Sequence, residues 1–197
     1  MVDMNVLNFF NKEIITSERV NNENIDLKKV YEFARDKHEG QVRADGSDYI
    51  VHPLRVAKII FENKESKELE VLIAAALLHD VIEDTRTCLV ELGERFGEMV
   101  ASLVLEVTSA SFAIKLLGKA VYLEQKMNSM TNYALCIKLA DRLDNLRDSE
   151  SLTEERRTKL FTDTRRIMDY LNKNRTLTAS QRRIAQQINE LLNKANF

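Results

Sequence analysis

Four ionisable side chains follow directly on an apolar stretch of the chain, and their types and spacing could carry chemistry. Residues 74–78 are Ala-Ala-Ala-Leu-Leu, and His79, Asp80, Glu83 and Asp84 fall within the next six positions. On one continuous helix, residues three or four positions apart share a face, so His79 would lie beside Glu83. Burying charged groups without partners is costly. A metal ion held by His79 and Asp80 would explain their position, and Glu83 and Asp84 would remain for proton transfer. The alternative is a helix that leaves the core here and turns its polar end to water.

Further candidate ligands lie at the ends of other predicted helices. The chain has three histidines, of which His52 directly precedes the only proline, Pro53. Proline favours the first turn of a helix, so His52 is expected at a helix start. The run 136–140 leads in the same way to Asp141, and Asn145 follows four residues later. Two imidazoles and two carboxylates make a mixed nitrogen and oxygen site, which suits Mn²⁺, Fe²⁺, Co²⁺ or Zn²⁺.

The composition is typical of a helical globular protein. The 197 residues are enough for one domain with a substantial core. Of these residues 44% are hydrophobic and 30% are charged, with only five Gly and one Pro. The scarcity of turn residues favours helices joined by short loops, and no alternating strand pattern occurs. We expect an all-α fold of one domain, residues 25–197, with the N-terminal segment 1–24 packed on it.

Helix signals assign each candidate to an element. The first full helix is expected to begin after Asp26 as N-cap and to end at Gly40. A loop over 40–52 follows, held between rigid helices and suited to binding. Apolar periodicity predicts further helices over 53–63, 69–84, 87–96, 97–107, 112–129, 131–147, 153–172 and 179–194.

Several classes of function are not supported by the sequence. We find no apolar run near the about 20 residues that a membrane span needs, and no signal peptide. The formal net charge of −2 does not favour a large nucleic-acid interface. Cys88 and Cys136 lack metal-site spacing, which indicates reduced thiols. We expect a cytoplasmic protein with no nucleic-acid or membrane partner, and a homodimer stays open.

Five blocks occur in a fixed order, and the pattern that they form extends over roughly residues 27–170, most of the chain. They are His-Glu-Gly-Gln-Val-Arg at 38–43, Tyr-Ile-Val-His-Pro-Leu at 49–54, the stretch 77–85, Phe-Gly at 96–97, and Lys-Leu-Ala-Asp-Arg-Leu at 138–143. This order resembles the HD-domain metal-dependent phosphohydrolases, and more closely the hydrolase domain of the RelA/SpoT alarmone enzymes. The length has no room for the synthetase half of the bifunctional enzymes. We therefore expect a stand-alone small alarmone hydrolase, similar to the metazoan SpoT homologues.

The resemblance implies an activity and assigns roles. The implied reaction, part of the stringent response, removes the 3′-pyrophosphate from guanosine 3′,5′-bis(diphosphate) or its pentaphosphate relative, giving GDP or GTP. Glu83 and Asp84 match the pair that activates water and handles the leaving-group proton. Arg43 and Asn145 match positions that contact the substrate. Four positions match the metal ligands, for which the family's usual ion is Mn²⁺: His52, His79, Asp80 and Asp141.

The sequence departs from the family pattern at two positions. Ala44 follows Arg43 where many members carry Lys, and Asp144 stands where the long enzymes have His. The first departure removes a candidate phosphate contact, and Asp144 is interpreted as a solvated residue. His38 is expected to support the site rather than to bind metal.

Two alternatives to the alarmone hydrolase stay open. One is an HD-type phosphatase for another nucleotide, such as NADPH or a nucleoside monophosphate. The other is a catalytically idle nucleotide-binding module, against which the presence of every candidate ligand argues.

Overall fold

The computed structural model describes residues 4–20 and 24–195, and all regular elements in that part of the chain are helical. The predicted all-α fold class is confirmed. Outside the helices, the described residues hold one isolated antiparallel bridge, between Val42 and Asp48. The chain divides into two compact units, one up to Thr108 and one from Ser109 onward. The single-domain assignment stays a prediction, and residues 1–3 and 21–23 of the predicted segment 1–24 lie outside the described residues.

The first unit has a core built around two apolar helices, α3 (Val51–Asn63) and α4 (Leu69–Leu77), which pack against each other. Helix α4 also packs against α2 (Leu27–Lys37) and α7 (Glu98–Val107). Residues 74–78 are all 0% exposed, as the apolar run predicts. The bounds of its elements are α1 Met4–Phe9, a π-helical turn Phe10–Ile14, α2 Leu27–Lys37, α3 Val51–Asn63, α4 Leu69–Leu77, α5 Val81–Asp84, α6 Leu89–Phe96 and α7 Glu98–Val107.

Helix α2 begins as its sequence predicts. The Asp26 side chain accepts hydrogen bonds from the backbone N–H groups of Lys28 and Lys29, at 3.1 and 3.2 Å. Such a cap satisfies two of the donors that a helix start leaves without a partner. The chain then leaves the helix through His38, and Gly40 has a φ of 79°.

The helix predicted over 69–84 is interrupted at the His-Asp pair, so the single-helix prediction is wrong. Helix α4 ends at Leu77, and His79 and Asp80 lie in the turn before α5. The Nδ1 atom of His79 lies 2.8 Å from the carbonyl oxygen of Ala76. In a continuing helix that carbonyl would accept the N–H of Asp80, so the imidazole competes with the backbone for it. His79 and Glu83 consequently do not share the face of one helix.

The second unit is a set of packed helices that carries Asp141. Helix α10 (Asn132–Arg147) packs on α12 (Ala179–Lys194), and α9 (Lys119–Ser129) packs on α11 (Glu154–Asn174). The helix predicted over 112–129 is divided at Gly118, whose φ of 79° and ψ of 148° end one helix and begin the next. The bounds are α8 Ser111–Leu117, α9 Lys119–Ser129, α10 Asn132–Arg147, a 3₁₀ turn Ser149–Ser151, α11 Glu154–Asn174 and α12 Ala179–Lys194.

Among the described residues, one stretch passes a test for a membrane span by length and composition. An 18-residue window within Glu98–Leu117 has a mean hydropathy of 1.7, contrary to the expectation that no apolar run approaches the length of a membrane span. Helix α7 ends at Val107 and α8 begins only at Ser111, so the stretch is not one continuous helix. Core helices pass the same test, and a single such stretch is weak evidence for a membrane span.

Candidate metal and catalytic site

Three of the predicted metal ligands converge within the first unit. His52 lies in the first turn of α3, and its ring centroid is 5.0 Å from that of His79. One nitrogen of each ring lies within 4.8 Å of the other. The Nε2 atoms of His79 and His52 are 3.0 and 3.8 Å from Oδ2 of Asp80. Each histidine is only 1% exposed, so the rings hold their places by packing.

The tautomer of the His79 ring follows from its backbone contact. A carbonyl oxygen only accepts, so Nδ1 of His79 carries the hydrogen that Ala76 receives, and Nε2 of the neutral ring carries a lone pair. This lone pair faces a carboxylate oxygen of Asp80 at 3.0 Å. Two acceptors so close are stabilised by a cation or a proton between them. Two neighbouring ligands at about 2.1 Å from an octahedral ion lie about 3.0 Å apart. The group therefore fits a divalent metal ion.

The predicted catalytic pair ends the short helix α5. Both Glu83 and Asp84 are exposed. The Tyr49 hydroxyl oxygen lies 2.6 Å from Oδ2 of Asp80 and 3.3 Å from Oδ2 of Asp84. Gln41 donates from Nε2 to the backbone carbonyl of Asp84 at 3.0 Å. Tyr49 and Gln41 thus connect Asp84 to the surroundings of the candidate metal site.

The electrostatic surroundings make Asp84 a weaker acid than usual. Desolvation raises the pKa of Asp84, and the negative charges of Asp80 and Glu83 raise it further. A carboxylate with a raised pKa holds a proton more readily, which suits a group that accepts one from water.

Three residues around the site, His38, Gln41 and Tyr49, are not predicted from the sequence as metal ligands or catalytic residues. His38 is buried, and its Nδ1 lies 2.8 Å from Oε1 of Gln41. Its ring lies on that of Tyr49 with centroids 4.6 Å apart, and burial lowers the pKa of His38. All three residues belong to the first two motif blocks, 38–43 and 49–54, so the shared motif was the available signal. The absence of a regular element over 38–50 hid their contacts.

The predicted anion anchor Arg43 lies in the loop before α3. The loop is closed by hydrogen bonds from Arg43 N to the Ser47 carbonyl and from Gly46 N to the Arg43 carbonyl, at 2.9 and 3.0 Å. The Arg43 guanidinium lies 5.9 Å from the centroid of the Tyr49 ring, which places this cation close to a residue of the candidate site. Ala44, which departs from the family pattern, is exposed.

In the second unit, both carboxylate oxygens of Asp141 have partners on its own helix. Lys138 Nζ lies 2.8 Å from Oδ2, and Asn145 donates from Nδ2 to Oδ1 at 2.5 Å. Asp141 and Lys138 are both buried. Asp144 is 2% exposed, so its interpretation as a solvated residue is wrong. The reason is that α10 is covered on almost all sides rather than on one face.

Comparisons with known proteins agree on one family. A family model described as "HD domain" matches residues 30–177. The human guanosine-3′,5′-bis(diphosphate) 3′-pyrophosphohydrolase MESH1 is 42% identical over 131 residues, which are 66% of this chain and 72% of that protein. The Aquifex aeolicus (strain VF5) guanosine-3′,5′-bis(diphosphate) 3′-pyrophosphohydrolase is 38% identical over 151 residues. This chain spans only 20% of the length of that relative.

A solved structure agrees with the sequence relatives. It is described as "A metazoan ortholog of SpoT hydrolyzes ppGpp and plays a role in starvation responses". The two structures align with a TM-score of 0.72 at 27% identity, over 86% of this chain and 94% of the other. The match to the HD domain extends over well more than half of the residues and includes every predicted site residue. The chain therefore belongs to the HD-domain family.

Proposed function

We propose that this chain is a metal-dependent hydrolase of guanosine 3′,5′-bis(diphosphate) and its pentaphosphate relative. It would release pyrophosphate from the 3′ position and leave GDP or GTP. The observation that supports this best is the 42% identity to the human 3′-pyrophosphohydrolase, of which the chain covers 72%. The convergence of His52, His79 and Asp80 gives the activity a physical basis. The cytoplasmic location and any homodimer stay predictions.

The proposed cofactor is one Mn²⁺ ion, with Fe²⁺, Co²⁺ or Zn²⁺ as alternatives. We assign His52, His79 and Asp80 as ligands from their geometry, and Asp141 because it matches the family motif. When bound, the ion supplies a water of lowered pKa and polarises the phosphate that it touches.

The remaining roles, proton transfer and substrate binding, are assigned to four residues of the chain. Asp84 is assigned as the acceptor of the proton from the attacking water, because Tyr49 connects it to Asp80. The water oxygen forms a bond to phosphorus as the bond to the ribose O3′ breaks. Glu83 is assigned to the proton that O3′ requires as it leaves. Arg43 would bind phosphate through two parallel N–H donors, and Asn145 would position the substrate.

The proposal is tested by product analysis with purified, Mn²⁺-loaded protein. Guanosine 3′,5′-bis(diphosphate) should yield GDP and pyrophosphate in equal amounts, resolved by anion-exchange chromatography. The double variant Glu83→Ala, Asp84→Ala should still bind Mn²⁺ and nucleotide but lose turnover. If wild type and double variant both bind the nucleotide and neither turns it over, the idle nucleotide-binding module is the better description.

The departure at Ala44 favours including other nucleotides in the same assay. An exposed alanine at this position cannot supply the cation that many family members place there. NADPH and nucleoside monophosphates should therefore be tested beside the alarmone. Release of orthophosphate from these, without pyrophosphate from the alarmone, would establish the alternative HD-type phosphatase.

A further inference from the structure

The Tyr49 hydroxyl contacts both the candidate metal site and the proposed proton acceptor. The Oδ2 atom of Asp80 that lies nearest the two Nε2 atoms is also the atom 2.6 Å from the Tyr49 hydroxyl. The same hydroxyl oxygen is 3.3 Å from Oδ2 of Asp84. One phenol group thus links Asp80 with Asp84.

The direction of the hydrogen bond between Tyr49 and Asp80 follows from the number of protons and lone pairs on the two oxygens. A phenol has one proton, and the shorter distance assigns that proton to Asp80. A carboxylate oxygen has two lone pairs, so Oδ2 of Asp80 accepts from Tyr49 with one and offers the other to a cation. The hydrogen bond therefore holds Oδ2 of Asp80 in an orientation that faces the imidazoles. It also brings the phenol oxygen next to the carboxylate of Asp84.

The Tyr49 ring is held in place by its neighbours. It lies on the His38 ring with centroids 4.6 Å apart, and its centroid is 6.0 Å from that of His52 at an interplanar angle of 73°. Gln41 contacts Nδ1 of His38 with Oε1 and donates from Nε2 to the Asp84 carbonyl. The hydroxyl position is therefore defined by ring packing from two sides.

We propose that Tyr49 is a positioning residue of this site. Its hydroxyl orients Oδ2 of Asp80 for the divalent ion, and its oxygen lies 3.3 Å from Oδ2 of Asp84. The inference rests on the proposed metal-dependent function, but its first consequence concerns metal affinity alone. Partners that orient metal ligands in this way typically contribute 10–100-fold to affinity or activity.

The test is the variant Tyr49→Phe, which removes one oxygen atom and keeps the ring. Tyr49 is only partly buried, so phenylalanine fits the same packing. The Kd for Mn²⁺, measured from the electron paramagnetic resonance signal of free Mn²⁺, should rise about 10–100-fold. At saturating Mn²⁺, kcat for the alarmone should fall while KM stays within twofold. Thermal melting of the metal-free variant should match that of the metal-free wild type.

The matched control is Tyr31→Phe, on α2, where the ring packs on Phe10 with centroids 5.5 Å apart. Its Kd for Mn²⁺ and its kcat should equal those of wild type. A Tyr49→Phe Kd within twofold of wild type would overturn the inference, as would a change in KM alone. A wild type that binds Mn²⁺ but does not cleave the alarmone overturns the proposed substrate instead, and the Kd comparison still tests Tyr49.

Discussion

At the scale of single residues, one hydrogen bond decides which nitrogen of His79 is available to a metal. The Ala76 carbonyl oxygen accepts a hydrogen bond from Nδ1 of His79, so Nε2 faces Asp80. The same logic applies to Asp80, whose Oδ2 accepts from Tyr49 and faces the imidazoles. Neighbouring groups thus orient both proposed ligands, as partners of metal ligands commonly do in proteins.

The role assigned to Asp84 gives a direct prediction. The variant Asp84→Asn should lower kcat by about 10²–10⁴-fold, because an amide cannot accept the proton from water. The Kd for Mn²⁺ should stay near the wild-type value, because Asp84 is not among the assigned ligands. The control Asp36→Asn changes an exposed carboxylate that pairs with Arg35 on the surface, and its kcat should be unchanged. If Asp84→Asn retained the wild-type kcat, a group other than Asp84 would have to accept the proton.

The lowered pKa of buried His38 should make the stability of the folded protein depend on pH. Burial lowers its pKa in the folded protein, so the unfolded chain, with a pKa of about 6.5, binds a proton first as pH falls. The stability due to the neutral ring is therefore complete above about pH 6.5 and is lost as pH falls towards the folded pKa. In metal-free protein, urea unfolding at pH 7.5 and pH 5.5 should show a smaller loss for His38→Gln than for wild type. An equal loss would show that other groups carry the pH dependence.

At the scale of elements, two interruptions divide helices that the apolar pattern joins. The turn at His79 and Asp80 separates α4 from α5, and Gly118 separates α8 from α9. The first is caused by a side chain that competes for a backbone carbonyl. The second requires a backbone conformation that residues other than glycine rarely adopt, because a Cβ atom crowds the backbone there.

The Gly118 junction can be tested with a matched pair of glycines. Gly118→Ala should lower the free energy of unfolding by about 1–3 kcal/mol, since alanine is strained at a φ of 79° even though the space around it is open. Gly93→Ala, within helix α6, should be neutral or stabilising by up to about 1 kcal/mol, because its Cβ would meet only Ala101 at 4.0 Å. Urea unfolding measures both. Equal effects of the two substitutions would contradict the conformational explanation.

At the scale of the whole molecule, metal binding and folding are linked because the assigned ligands come from separate elements. His52 belongs to α3, whereas His79 and Asp80 belong to the turn that follows α4. The unfolded chain does not hold these groups together, so an ion that binds only the folded state stabilises it.

Removal of the metal should therefore lower the melting temperature. Mn²⁺ at 100 times its Kd should add about 2.7 kcal/mol to the free energy of unfolding of protein first stripped with a chelator. Thermal denaturation followed by circular dichroism measures the shift. The variant His79→Ala should show little or no shift, and a shift equal to that of wild type would place the ion elsewhere.

The sequence by itself determines the fold class, the family and the candidate residues. Helical periodicity, the scarcity of Gly and Pro and the Asp26 cap act over a few neighbouring positions, so they are visible in the linear chain. The ordered blocks around His52, His79 and Asp141 add the family and the chemistry. The positions of these blocks along the chain can be read without knowing how the helices pack.

Only the tertiary structure decides how the site is held. The contact between Tyr49 and Asp80 joins residues 31 positions apart, and the one between Gln41 and Asp84 joins residues 43 apart. The burial of Asp144 likewise depends on which helices cover α10. Such contacts arise when packed elements bring distant side chains within hydrogen-bonding distance. Local patterns in the sequence, which report only on near neighbours, do not contain them.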